Sequence, residues 1–279
     1  MKHMNAESAL EETDNSASHE PYRRREGYNR RVYGASLIIA FCLVLFYVFQ
    51  SFYPSVMYVF SNVFPPFIAG AAFIMAVLAS ARYYGSFKER FSQVWLSFAF
   101  GLGFWFLGEV SWAFYTLFLG VELPYPSFAD IFWLGGYIPM FIALFLYVKT
   151  FFKVLSNRLI FAVALAVIVL AFMVFAVLSK PVLGFEEDLA IIFADFAYPI
   201  FDAVLFFLAI LGFAVFFKGK IGRSWLFINA GILSLVAADF LFSYTTALET
   251  YYCGHPLELL FHFGDMLLFI AFYTHIKEL

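Results

Sequence analysis

Glu109, Asp195, Asp202, Asp239 and Asp265 lie inside apolar stretches long enough to cross a bilayer, and no Lys or Arg lies at comparable depth to pair with them. A charged side chain near the bilayer centre costs roughly 2.5–3.5 kcal/mol, so five facing lipid would cost on the order of 12–17 kcal/mol. They are therefore expected to turn into a protein interior, as neutral acids, as hydrated groups, or around a cation. His262 is the one intramembrane residue that could supply positive charge, and one imidazole cannot neutralise five acids. Cation or proton binding is the chemistry that follows.

Spacing groups these residues. Asp188, Asp195 and Asp202 recur every seven positions and share one helix face, with Tyr198 and Pro199 one turn beyond Asp195. Proline at that point frees a backbone carbonyl, which needs a neighbouring helix, hydroxyl or water. His262 and Asp265 are three apart and adjoin on their helix. With Asp130 at the start of an apolar run, the candidate ligand-binding set is Glu109, Asp130, Asp195, Tyr198, Asp202, Asp239, His262 and Asp265. Trp112, Tyr115, Trp133 and Tyr137 either line the same interior or anchor helices at the membrane interface. The alternative is that these polar groups only join helices, at about 0.6 kcal/mol each.

Several chemistries are excluded. Retinal attachment needs a Lys deep in a span, and none is present; His255 and His262 sit too close on one segment for bis-histidine haem. A zinc hydrolase wants three protein ligands and an open position, usually several His. No Gly-x-Ser-x-Gly elbow or Gly-x-x-x-x-Gly-Lys-Ser loop occurs, and a net charge of −3 without a basic domain excludes nucleic acid as a partner. The chain is not expected to be an enzyme, a metal-dependent intramembrane reaction through Asp/Glu and His262 being the residual possibility. The sequence leaves cofactor and metal unassigned.

The elements that position these groups are membrane helices. The chain is 63% hydrophobic and 13% charged, with mean hydropathy +0.85, whereas soluble domains carry about 25% charged residues. Apolar runs of the roughly 20 residues that hydrocarbon requires predict an all-α polytopic membrane protein with eight spans, at 33–52, 57–81, 94–118, 127–149, 158–179, 189–217, 224–247 and 257–276. Pro65 and Pro66 threaten to split the second. Arg23, Arg24, Arg25, Arg30 and Arg31 precede the first span, and alternate loops carry Arg82, Lys88, Arg90, then Lys149, Lys153, Arg158, then Lys218, Lys220, Arg223. The other loops hold only Lys180 among basic residues, against Glu122, Glu186, Glu187, Asp188 and Glu249. Positive charge stays cytoplasmic, so both termini are expected inside, in the plasma membrane, with the acidic loops outside.

That topology sets depth. Spans three and seven run outward, and Glu109 and Asp239 lie about fifteen residues along, roughly 22 Å at helical rise. Asp130, Asp195, Glu258 and Asp265 lie near the starts of inward-running spans, so the acids gather in the outer half; the inner half offers little polarity beyond Ser and His275. Residues 1–32 read as a polar, disordered cytoplasmic tail rather than a targeting peptide, ahead of a membrane domain over 33–279. Cys42 and Cys253 form no framework.

A shift of 130 residues superposes Phe87-Lys88 on Phe217-Lys218, Trp95-Leu96 on Trp225-Leu226, Gly101 on Gly231, Glu109 on Asp239 and Pro126 on Pro256. Either chance operates in a Phe/Leu-rich chain, or two parallel four-span repeats, 33–150 and 158–279, are related by an axis along the membrane normal.

The stretch Pro124-Tyr125-Pro126-Ser127-Phe128-Ala129-Asp130 leading into Trp133-Leu134-Gly135-Gly136-Tyr137 resembles the multi-span N-terminal membrane regions of bacterial and archaeal diguanylate cyclases and sensor histidine kinases. The segment Asp195-Phe196-Ala197-Tyr198-Pro199-Ile200-Phe201-Asp202 resembles a second element of those regions, and Trp225 through Asp239 with Pro256-Leu257-Glu258 a third, together covering about residues 95–270. His262 and Asp265 stand where apolar or aromatic residues are expected. The resemblance implies a sensory module that engages a small-molecule or cation ligand. The chain given ends at Leu279, so a signal is expected to leave through a cytoplasmic partner. The rival expectation is a carrier for protons, cations or a small cationic solute.

Overall fold

The computed structural model describes residues 30–85, 88–121, 124–182, 189–217, 219 and 222–278. Asp188, Glu122, Glu186 and Glu187, Lys218 and Lys220, and the tail before Arg30 lie outside the described residues. The described chain is all-α, with eight helices long and apolar enough to cross a membrane. They are α1 (Arg30–Val48), α2 (Pro54–Ala81), α3 (Arg90–Ala113), α4 (Phe128–Thr150), α5 (Asn157–Val182), α6 (Leu189–Phe217), α7 (Arg223–Ala247) and α8 (Glu258–Glu278). The predicted spans match these within several residues. Pro65 and Pro66 do not split α2, which runs unbroken. A membrane helix keeps its remaining bonds when neighbouring helices and side chains meet the freed carbonyls, and α2 is held between α3 and α8. Large apolar side chains such as Phe67, Ile131, Phe161 and Phe193 stay exposed, which suits contact with lipid.

Residues 1–42 and 43–279 are separate compact units, and the described part of the first is residues 30–42 of α1. Within the second, α2 packs on α3, α3 on α4, α4 on α6, α6 on α7, α7 on α8 and α8 on α2, closing a ring of six helices. The α5 helix lies against the outside of α6 and α7. One end of the ring carries the α3–α4 and α7–α8 connections and the acidic residues; the other carries Arg82, Lys153 and Arg223. These are called the acid end and the basic end.

Glycine allows two close backbone crossings. A Cβ on Gly101 would lie 3.3 Å from the Gly136 carbonyl oxygen, joining α3 to α4, and one on Gly231 would lie 3.0 Å from the Gly264 carbonyl oxygen, joining α7 to α8. Membrane helices without a hydrophobic driving force gain from such close backbone approach. The neighbours correspond as well: a Cβ on Gly136 would strike Trp105 and one on Gly264 would strike Leu235, while Gly101 abuts Met140 and Gly231 abuts Leu268. These contacts superpose α3 on α7 at an offset of 130 and α4 on α8 at an offset of 128. The gapless shift read from the sequence therefore needs two residues removed between the paired helices, which aligns Asp130 with Glu258 instead of Pro126 with Pro256.

Gly136→Ala is expected to destabilise the protein by about 1–3 kcal/mol, because the added methyl meets an indole rather than a flexible chain end. Unfolding of the purified protein in detergent checks this.

Candidate functional site

The α4 N-terminus is the first polar cluster. Ser127 caps the helix: its hydroxyl accepts from the Ala129 amide at 3.1 Å and donates to Asp130 Oδ2 at 2.8 Å, while its amide donates to the same oxygen at 2.6 Å. This reciprocal arrangement is the capping box that a Ser followed three residues later by an acid allows. The other oxygen of Asp130 accepts from Tyr198 on α6 at 2.7 Å. Next to it, Tyr125 donates to Asp195 at 2.6 Å; burial first, then Asp195, pushes the Tyr125 phenol up, so it stays a neutral donor. Asp130, Asp195 and Tyr198 thus fasten the Pro124–Asp130 stretch to α6, with both oxygens of Asp130 taken.

The α8 N-terminus repeats the scheme with different residues. Glu258, the counterpart of Asp130, accepts from the Gly254 amide at 2.7 Å, from Tyr251 at 3.1 Å and from Tyr47 at 2.7 Å. Burial raises the Tyr251 phenol, and the Glu258 charge adds to it. Tyr47 also meets His262 Nε2 at 2.7 Å. A hydroxyl that donates to Glu258 must receive from that ring nitrogen, which leaves His262 Nδ1 as a bare acceptor, and it has no hydrogen-bond partner. His262 is 1% exposed and its ring stands edge-on to Phe64, with centroids 4.9 Å apart. His262 therefore belongs to a buried link between Tyr47, α2 and α8.

The connection before α8 also supplies a pH response. His255 accepts from the Leu257 amide through Nδ1 at 3.2 Å, and burial holds its pKa below the ordinary imidazole range. A depressed imidazole contributes stability above its unfolded pKa that is lost as pH falls through the folded value. The His255 contribution is expected to fall away as pH drops below about 6.5, and it is read as the difference between wild-type and His255→Ala melting curves taken across pH.

Deeper in the ring, four more carboxylates come from four helices. Tyr137 on α4 donates to Asp202 on α6 at 2.6 Å and reaches Asp239 on α7 at 3.3 Å. Asp202 is 1% exposed, whereas Asp239 and Glu109 keep partial exposure. Trp133 on α4 donates to Glu109 Oε1 on α3 at 3.2 Å, and the Trp105 indole donates to the Trp133 carbonyl at 3.1 Å. Glu109 interacts electrostatically with Asp239, Asp265 and Glu258 from α7 and α8. Asp265 on α8 is 9% exposed and accepts no hydrogen bond among the described residues. No group of three His, Cys, Asp or Glu side chains among the described residues is arranged to hold a metal ion.

The basic end is filled by rings. Trp95 on α3 and Trp225 on α7 meet with centroids 5.1 Å apart; Trp225 stacks on Tyr147 of α4 at 3.4 Å, and Trp95 stacks on His275 of α8 at 3.7 Å. Under the offsets above, Trp95 corresponds to Trp225 and Tyr147 to His275, so the two stacks are equivalents of each other. His275 also bonds Tyr83 at 2.9 Å. The basic-end half holds more polarity than Ser and His275, since Asn229 is fully buried and donates to the Trp225 carbonyl at 2.8 Å. Its neighbour there is Gly212, where any Cβ would collide with the Asn229 amide.

Of the residues singled out in the sequence, Glu109, Asp202, Asp239 and Asp265 come together in the ring. Asp130, Asp195 and Tyr198 sit at its acid-end rim, and His262 sits with Tyr47 and Glu258. Trp112 donates to Asn62 Oδ1 at 2.8 Å and tethers α3 to α2. Tyr47, Tyr125 and Glu258 were not among the candidates. A lone Tyr in an apolar span or a Pro-rich loop has no periodicity that distinguishes it from an interface anchor. No protein-family model, curated protein or solved structure matches the chain.

Proposed function

We propose that this integral membrane protein is a ligand-binding, sensory protein. Its ring interior would open at the acid end and be closed at the basic end. One observation carries this reading. Carboxylates from α3, α6, α7 and α8 meet inside the acid half, while stacked Trp95, Trp225, Tyr147 and His275 fill the basic half. Glu109 accepts from Trp133 and Asp239 is reached by Tyr137, both on α4, and both acids keep partial exposure, which supports a lining role. The ligand would be small, polar and cationic, because no basic residue shares that depth. By the positive-inside rule the acid end is external and both termini are cytoplasmic.

The equivalent contacts at Gly101–Gly136 and Gly231–Gly264, and at the two aromatic stacks, favour descent from a duplicated four-helix unit with the axis between Trp95 and Trp225. A sensor needs two packings that differ in ligand affinity. Rotation of one half against the other at these stacks would supply them, and a cytoplasmic partner at the basic end would read the difference. The resemblance of the Pro124–Tyr137 and Asp195–Asp202 segments to sensor membrane regions points the same way.

A carrier must also open at the basic end, so flux separates the readings. In proteoliposomes, small organic cations are expected to bind without accumulating in the lumen. Concentrative uptake abolished by Asp239→Asn would establish the carrier instead.

A further inference from the structure

The two halves of the ring are equivalent in backbone contacts but not in how their acids are satisfied. In one half, Asp239 on α7 faces Tyr137 on α4, whose hydroxyl lies 3.3 Å away and also serves Asp202. The 128 offset places Asp265 of α8 where Tyr137 stands in α4. In the other half, therefore, Glu109 faces a second carboxylate where Asp239 faces a hydroxyl donor. Asp265 and Glu109 interact electrostatically, and Asp265 is nine-tenths buried with no hydrogen-bond partner among the described residues. Trp133 fills one oxygen of Glu109 only.

Two neighbouring carboxylates with one donor between them repel each other when both are ionised. A shared proton would relieve the repulsion, whereas a cation with hydrogen-bond donors would relieve it and also fill the open acceptors. We infer that Glu109 and Asp265 form the seat of a primary ammonium group, whose three N–H donors match Glu109 Oε2 and the two oxygens of Asp265. No group of three His, Cys, Asp or Glu side chains among the described residues is arranged to hold a metal ion, whereas an ammonium brings its own N–H donors to two carboxylates. A quaternary ammonium has charge but no N–H to offer these oxygens. The Tyr137, Asp202 and Asp239 half, already supplied with a donor, would act as the fixed side against which the seat closes. This inference rests on the ligand-binding reading and names the chemistry and the half of the ring involved.

The full-length protein in nanodiscs provides the test, with methylammonium chloride as probe and tetramethylammonium chloride and sodium chloride as ionic-strength controls. Tryptophan fluorescence reports the seat through Trp133, and thermal melting reports binding independently. Methylammonium is expected to change both, the controls neither, and Asp265→Asn and Glu109→Gln each to weaken the response about tenfold or more. A second variant, Asp265→Glu, keeps the charge and is expected to retain part of it. An equal response to sodium or tetramethylammonium overturns the assignment of an N–H donor. Survival of binding in both acid variants, with its loss in Asp239→Asn, overturns the seat while leaving the interior reading intact. No response to any cation, together with a higher melting temperature for Asp265→Asn, means that the two acids share a proton, and the inference falls. Uptake of methylammonium that is lost in Asp265→Asn would retain the seat and refute the closed basic end.

Discussion

Trp225→Ala is expected to destabilise the protein by about 3–5 kcal/mol and to make the ring leaky to small cations. The Trp225 indole stacks on Tyr147 at 3.4 Å, meets Trp95 at 5.1 Å and Phe98 at 6.2 Å, and is nearly buried. Deleting it leaves a void that rigid neighbouring rings cannot fill by small adjustments. On the proposed function the same void would lie between the ligand space and the basic end and would join them. Trp225→Phe keeps part of the stack and should fall between. Detergent-induced unfolding measures the first effect and dye-reported flux into proteoliposomes the second. A destabilised variant that stays impermeable would place the closure elsewhere.

Tyr137→Phe is the second large effect, at about 2–3 kcal/mol of lost stability. No atom is lost except the hydroxyl, which is the donor to Asp202 at 2.6 Å and the link to Asp239 at 3.3 Å. The ring stays supported by Phe201, stacked at 5.4 Å, and by Trp105 edge-on at 5.6 Å, so packing is unchanged and the deficit is electrostatic. Asp202→Leu in the Tyr137→Phe background removes one stranded acceptor and should recover part of the loss. A double-mutant cycle on Tyr137 and Asp202 should then give a coupling of about 1–3 kcal/mol. A coupling near zero would mean that the contact contributes nothing beyond proximity.

The asymmetry between the halves was hidden by the helix register. Read at a constant offset of 130, Asp130 aligns with Leu260 and Asp265 with Gly135, and no correspondence between acids emerges beyond Glu109 with Asp239. The close approaches at Gly136 and Gly264 fix α4 and α8 at 128 instead, which pairs Asp130 with Glu258 and Tyr137 with Asp265. Connection length carries no hydropathy signal, so two residues of difference between helices cannot be read from apolar patterning.

The amino-acid order alone determined a great deal here. Eight apolar runs dictate eight spanning helices, because hydrocarbon forces each segment to satisfy its own backbone. The placement of Lys, Arg, Asp and Glu dictates that the acids collect at one end. These properties are local, and each follows from a window of about 20 residues. Only the tertiary structure decided partnership: that Asp130 is spent on Ser127 and Tyr198, that His262 turns to Tyr47, that Asp265 feels the charge of Glu109, and that indoles from α3 and α7 pack together toward the basic end. Each of those contacts joins residues far apart in the chain, and their choice depends on helix rotation and close packing, which no single segment encodes.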